Sequence, residues 1–227
     1  MFEGFSPEAS DFYWQLLFHN ERPWFQEHHD EYVRLLKTPL DELAKATTPY
    51  VERLFPDQSV DCHVSRIFRD ARRLYGRGPY KDHVWIAWQD GVRTRYGPCF
   101  WFEIGPAKYG YGMGYYCLTA AMEEFRRSID KNPAPMEKLA RKFDRQSTFI
   151  LEGELYKKPK KDVGGLLNPW YNRKYIGLTF EADFGGELLS PELPRILGER
   201  FSFLLPYYNY FRSLPQEGGV IRKGGEA

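Results

Sequence analysis

The chain has 227 residues, with 32 Lys and Arg against 31 Asp and Glu, and it carries 17 Phe, 16 Tyr and 6 Trp. So much large apolar surface excludes a disordered chain, which would be poor in aromatics and strongly charged. A net charge of +1 argues against a wholesale polyanion binder. The longest apolar clusters, Val84 to Trp88 and Cys99 to Phe102, fall far short of the roughly 18–20 residues a membrane-spanning helix needs.

The length suits one α+β domain over residues 1–215, helical over about 5–55, with a flexible tail at 216–227. The start, Met1-Phe2-Glu3-Gly4-Phe5, lacks the basic and apolar runs of a secretory leader, which points to a soluble, cytoplasmic protein. Cys62, Cys99 and Cys117 are widely spaced with no C-x-x-C, so reduced and mostly buried thiols are expected.

From Pro7 to Asn20 the residues Ala9, Phe12, Tyr13, Leu16 and Leu17 recur at helical spacing, with Ser6 as N-cap and Pro7 at the first helical position. Pro23 opens a second helix with the stripe Phe25, His28, His29, Tyr32, Val33 and Leu36. Thr38-Pro39 caps and opens a third through Leu40, Leu43 and Ala44, which Pro49 kinks or ends. After Pro56 the period becomes two: Val60, Cys62, Val64, Arg66 and Phe68 share one strand face. His83 to Gln89 reads as a strand, Asp90-Gly91 as a hairpin turn, and the chain returns through Val92 to Tyr96 and Phe100 to Ile104.

Gly105-Pro106 breaks that run and Tyr111 to Cys117 forms another strand; such short connections require antiparallel pairing. Helices follow at Thr119 to Ile129, with Met122, Phe125, Arg126 and Ile129 near one face, and through Met136, Leu139, Ala140 and Phe143. Tyr175 to Phe184 favours a late strand, and Pro191 to Leu214 a last helix interrupted at Pro206. The layout is a helical N-terminus, a mainly antiparallel sheet and further helices packed on it.

Charge is unevenly placed. Between Arg66 and Lys81 stand Arg66, Arg69, Arg72, Arg73, Arg77 and Lys81 against the single acid Asp70, and Lys157, Lys158, Lys160 and Lys161 form a second basic stretch. The rest of the chain is therefore net acidic. On strand alternation Arg66 lies beside Val64 and Phe68, so its guanidinium reaches a cleft or is buried against a carboxylate; Arg69 points the other way. Gly76 and Gly78 permit a tight loop, Pro79 fixes its exit, and Tyr80 and Lys81 place a phenol and an ammonium beside it.

These residues resemble the domain-of-unknown-function 2461 family of bacterial and fungal proteins. Its R-I-x-R-D-x-R element is similar to Arg66-Ile67-Phe68-Arg69-Asp70-Ala71-Arg72, and its P-Y-K to Pro79-Tyr80-Lys81. Asn20 with Trp24-Phe25, the glycines of Gly110-Tyr111-Gly112-Met113-Gly114, Phe125-Arg126, Lys158-x-Lys160 and Asn168-Pro169 extend the likeness over most of the chain. The chain departs at Arg73, Tyr75 and Asn168, where the family shows Phe, Lys and His. The resemblance implies no activity.

Planar guanidinium forks hold phosphate or carboxylate bidentately, so Arg66, Arg69, Arg72, Tyr80 and Lys81, with Arg126 approaching from a helix, form a candidate site for a small anionic ligand. Tyr80 and His83 are the candidate proton donors if a reaction occurs. Two other readings stay open. The cations pair internally with Asp70 and distant acids, or the two basic stretches contact nucleic acid or a protein partner, with Tyr75, Tyr80, Tyr109 and Tyr111 stacking on bases. No cofactor or metal is expected. Gly110, Gly112 and Gly114 lack the strand–turn–helix context of a dinucleotide fingerprint and suit close packing of one strand face. His19, His28, His29, His63 and His83 lack metal-ligand spacing.

Overall fold

The computed structural model describes residues 1–70, 72, 74, 76–91, 97–116 and 119–215. Helix α1 (Glu8–Phe18) buries Ala9, Phe12, Tyr13 and Leu16, the stripe its spacing predicts. The Ser6 hydroxyl accepts the Glu8 N–H at 3.3 Å, closing the helix start as a small polar side chain does. Pro23 stands in the first turn of α2 (Arg22–Glu27), and α3 (His29–Tyr32) follows. A π-helical stretch, Val33–Lys37, then leads straight into α4 (Thr38–Glu52).

Thr38-Pro39 therefore does not start a separate, capped helix. Thr38 has helical dihedrals and makes no capping bond through its side chain. The wider π turn makes room for the Pro39 ring, which would break a regular ladder at this point. Pro49 sits in the last turn of α4, near the expected end.

Six strands follow: β1 (Val60–Val64), β2 (Val84–Asp90), β3 (Cys99–Ile104), β4 (Lys108–Tyr115), β5 (Ile150–Glu152) and β6 (Ile176–Asp183). They form one sheet in the order β1-β2-β3-β4-β6-β5, with every pairing antiparallel. The fold is α+β, as the sequence predicts. Gly91 takes φ +68° at the β2 end, the conformation the Asp-Gly turn signal anticipates. The returning Val92 to Tyr96, together with Arg73, Tyr75, Cys117 and the tail at 216–227, lie outside the described residues.

Register fixes which face is the core. Ile86, Phe102, Tyr111 and Phe180 align across four strands, and Trp88, Phe100, Met113 and Leu178 form the next row. Between the strands, α5 (Thr119–Lys131), α6 (Ala134–Phe143) and α7 (Asn168–Tyr171) supply further helices. The last, α8 (Leu193–Arg212), lays Phe201 on Phe100 with ring centroids 4.7 Å apart.

Helix α8 passes Pro206 without interruption. An interior proline costs about 3 kcal/mol. Leu204, Tyr207, Tyr208 and Phe211 are all buried around it, and that packing outweighs the lost hydrogen bond.

The glycines of β4 allow close approach. A Cβ on Gly112 would collide with the Leu178 carbonyl of β6, and one on Gly114 with the Tyr116 ring. Cys62 and Cys99 are half-buried, less enclosed than expected. Among the described residues no helix is long and apolar enough to cross a membrane. Nor do three or more His, Cys, Asp or Glu side chains among them gather where a metal ion could sit.

Candidate functional site

The basic segment begins where β1 ends. Ser65 continues the ladder with its N–H, which donates to Trp85 O at 2.8 Å. The Trp85 N–H, however, donates to the Ser65 hydroxyl at 2.9 Å. This side-chain substitution breaks the alternation. Beyond it Ser65 and Ile67 are buried, while Arg66 and Phe68 are exposed, the reverse of the face expected from Val60 to Val64. Arg66 is thus exposed rather than buried against a carboxylate.

A second short pairing then forms. Arg69 N–H donates to Pro79 O at 2.7 Å and Lys81 N–H to Ile67 O at 2.8 Å, with Phe68 opposite Tyr80 between them. The outward backbone groups of Tyr80 meet the Asn20 amide: Tyr80 N–H donates to Asn20 Oδ1 at 2.9 Å, and Asn20 Nδ2 donates to Tyr80 O at 3.0 Å. Asn20 acts here as the next strand would. A Cβ on Gly78 would collide with the Asn20 side chain, so this approach requires glycine.

A groove of about 610 Å³ opens between this pairing and α2–α3. Phe25, Phe68 and Tyr80 form its aromatic wall, Arg22 and Arg69 bring guanidinium groups, and His29 lies against Phe25. Gln26, Leu74 and Pro79 also line it, with Asp30 the one acid among the described residues there. Phe25 and Tyr80 stack 4.1 Å apart and are almost fully enclosed.

Arg69 is anchored on one side: its Nε donates to Tyr80 O at 2.8 Å and an Nη to Asp82 at 3.3 Å. Arg22 makes no ion pair among the described residues, yet its charge reaches the Tyr80 phenol. Burial pushes that phenol above its ordinary pKa and Arg22 pulls the other way, so at neutral pH the group stays protonated.

The remaining expected residues lie around the groove rather than in it. Lys81 donates to Arg66 O at 2.5 Å, and burial, then Arg66 and Arg69, lower its pKa. Arg66 has no ion-pair partner among the described residues. Arg72 forms a two-pronged pair with Asp70, at 3.1 Å for both prongs, on an exposed turn.

His83 does not line the groove. Its Nδ1 sits 3.0 Å from Asp82 and its Nε2 3.8 Å from Glu103. Burial opposes ionisation of Asp82, but its own backbone N–H, His83 and Arg69 outweigh it and hold the carboxyl below its usual range. Burial raises Glu103, with His83 opposing.

Arg126 does not approach this cluster. It is enclosed, with Nε donating to Tyr171 O at 3.0 Å, one Nη to Arg173 O at 2.8 Å and the other to Glu123 at 2.8 Å. Those carbonyls belong to the α7–β6 connection, near the sheet edge opposite β1. Its position follows from helix spacing, since it shares the buried face of α5 with Met122 and Phe125.

The Lys157 to Lys161 stretch also lies at that far edge, beside Asn172. Lys161 pairs with Asp130 at 2.6 Å, and Lys160 reaches Glu123 at 3.6 Å and covers the Tyr156 ring. Asn168, at a departure from the resembled pattern, accepts the Val163 N–H at 2.8 Å and donates to Asp162 at 2.6 Å, which is turn chemistry.

Sequence reading missed Arg22, His29 and the part played by Asn20. The signal was the N-x-x-x-W-F element itself, with Arg22 inside it, whose partner in the fold is the P-Y-K element. A comparison with curated proteins finds none that matches the chain. The model of the conserved hypothetical protein family DUF2461 matches residues 8–210, across Asn20, the arginine-rich segment and Pro79-Tyr80-Lys81, and the chain belongs to that family.

Proposed function

We propose that the protein binds a small phosphate- or carboxylate-bearing ligand in the groove between α2–α3 and the Phe68–Tyr80 pairing. The observation that carries this reading is the pairing state of its two arginines. Arg69 is oriented by Tyr80 O and Asp82, while Arg22 has no acid partner among the described residues and lines the same groove. A fixed guanidinium beside a movable one suits an oxyanion, because each donates charge-assisted hydrogen bonds without first leaving a strong internal partner. Tyr80 adds a protonated phenol. The volume falls within the range of small-molecule sites, about 300–1,000 Å³.

Titration calorimetry with inorganic phosphate and with benzoate tests the reading. Binding of either, weakened about tenfold or more in Arg22→Ala with an unchanged melting temperature, supports it. No heat from either probe at millimolar concentration overturns it. Arg69→Ala is a poorer test because Arg69 also holds the Tyr80 carbonyl.

Lys157 and Lys158 are exposed, with no ion pair among the described residues, and this favours a second reading, a nucleic-acid contact at the far edge. Retention of single-stranded DNA that falls steeply with salt supports it, and no retention at low salt removes it.

A further inference from the structure

Resting on the anion-binding reading, we infer that the groove takes an aryl or heteroaromatic phosphate or carboxylate, with its flat ring against Phe68 and its oxyanion on Arg22 and Arg69. Phe68 is the observation. It meets Phe25 edge-on at 5.7 Å and Tyr80 at 5.3 Å, yet it remains 52% exposed. Phe25 and Tyr80, by contrast, are 3% and 2% exposed and cover one another.

The ring is not simply a loose surface side chain. Its backbone is held by the Phe68–Tyr80 bridge, with the Arg69–Pro79 and Lys81–Ile67 hydrogen bonds on either side. Beyond the Ser65 hydroxyl's bond to the Trp85 N–H the alternation shifts, and Phe68 lies exposed. Two of the groups beside it suit a flat ring. His29 meets Phe25 edge-on at 5.9 Å, and Arg22 brings a planar cation, which stacks on an aromatic face as readily as it binds an oxyanion.

An aliphatic group of similar size would cover Phe68 but forgo the ring–ring and guanidinium–ring attraction. A well-placed aromatic pair contributes about 0.5–1.5 kcal/mol beyond area burial, so a phenyl group should tighten binding up to about tenfold over an aliphatic one.

The test compares inorganic phosphate, cyclohexyl phosphate and phenyl phosphate on wild type, Phe68→Leu and Arg22→Ala by titration calorimetry. The inference expects phenyl phosphate to bind the wild type about tenfold more tightly than inorganic phosphate and clearly more tightly than cyclohexyl phosphate. It expects Phe68→Leu to remove the phenyl advantage while leaving inorganic phosphate unchanged, and Arg22→Ala to weaken all three probes. Equal binding of phenyl and inorganic phosphate overturns the aryl inference and leaves the anion reading standing. An advantage that survives Phe68→Leu also overturns it. Failure of all three probes on the wild type, with no heat from benzoate either, overturns both.

Discussion

The two basic regions of this molecule sit at opposite edges of one sheet and use their cations differently. At the far edge Arg126 gives hydrogen bonds to two carbonyls and Glu123, Arg173 donates to Pro169 O and Gly153 O, and Lys161 and Lys174 pair with Asp130 and Glu154. That region is a stitched connection between α5, α7 and β6. At the near edge Arg69 is only partly engaged, and Arg22 is without an ion pair among the described residues. The groove with an aromatic wall is on this side. Counting cations along the chain makes both segments look alike; the hydrogen-bond partners separate them.

The strongest test of that contrast is Arg126→Ala. It removes a buried cation, orphans the Tyr171 and Arg173 carbonyls and leaves Glu123 with Lys160 alone, at 3.6 Å. A loss of about 3–5 kcal/mol is expected by urea unfolding, with phosphate binding in the folded protein unchanged. If stability holds and phosphate binding disappears, the far region is the site and the assignment of roles is reversed.

Asn20→Ala should cost less, about 2 kcal/mol, because it leaves one buried N–H and shares the Tyr80 carbonyl with Arg69 only. Here, unlike Arg126→Ala, the loss of stability should be accompanied by weaker phosphate binding, since Asn20 positions the strand that carries Tyr80. Unchanged binding in a destabilised variant would show that the groove does not depend on this edge.

Much of this frame was legible in the sequence, and the reasons for the failures are physical. Period-two alternation located β1, and β-favouring composition between turn residues located β2, β3, β4 and β6. β5 has only three residues, too few for a period to show. The break at Pro206 was wrongly expected since local propensity ignores the buried aromatics on either side of it. Of the residues read as a candidate site, Arg69 and Tyr80 line the groove, whereas Arg66 faces outward: beyond the Ser65 hydroxyl that replaces a ladder bond the alternation shifts, and periodicity carries no record of that. Arg126, expected to approach from the following helix, is instead enclosed at the far edge. Arg22 and Asn20 were missed because they come from a helix start some sixty residues before Tyr80, and only folding joins them.

Titration sharpens the contrast further. At the far edge Asp130 is held below its usual value by Lys161, against the effect of burial, with help from Tyr171. Asp162 is lowered by the Gly164 N–H and Asn168. A lowered carboxyl gives stability that is complete above its unfolded pKa, about 4, and is lost as pH falls through the folded value. Near the groove the signs are mixed. Asp82 is lowered, but Glu103 is raised by burial, so its ionisation opposes folding at neutral pH and that penalty fades on acidification. Glu103→Gln should therefore raise the urea midpoint at pH 7, with the gain shrinking towards pH 4. A gain independent of pH would mean that the side chain acts through packing alone.

The smallest expected effect is the most direct challenge to reading function from charge density. Arg72 belongs to the R-I-x-R-D-x-R element and makes a well-formed two-pronged pair with Asp70, but that pair is exposed, and Arg72 does not line the groove. Solvent screens such exposed pairs. Arg72→Ala should leave the urea midpoint unchanged and phosphate affinity within about twofold, whereas Arg22→Ala, the same charge removed about as locally, should weaken phosphate tenfold or more. Equal losses of affinity in the two variants would mean that the anion senses the summed field of the basic segment, and that the groove geometry adds nothing to it. A loss only in Arg22→Ala would place recognition in the direct contact of one guanidinium that no acid among the described residues occupies.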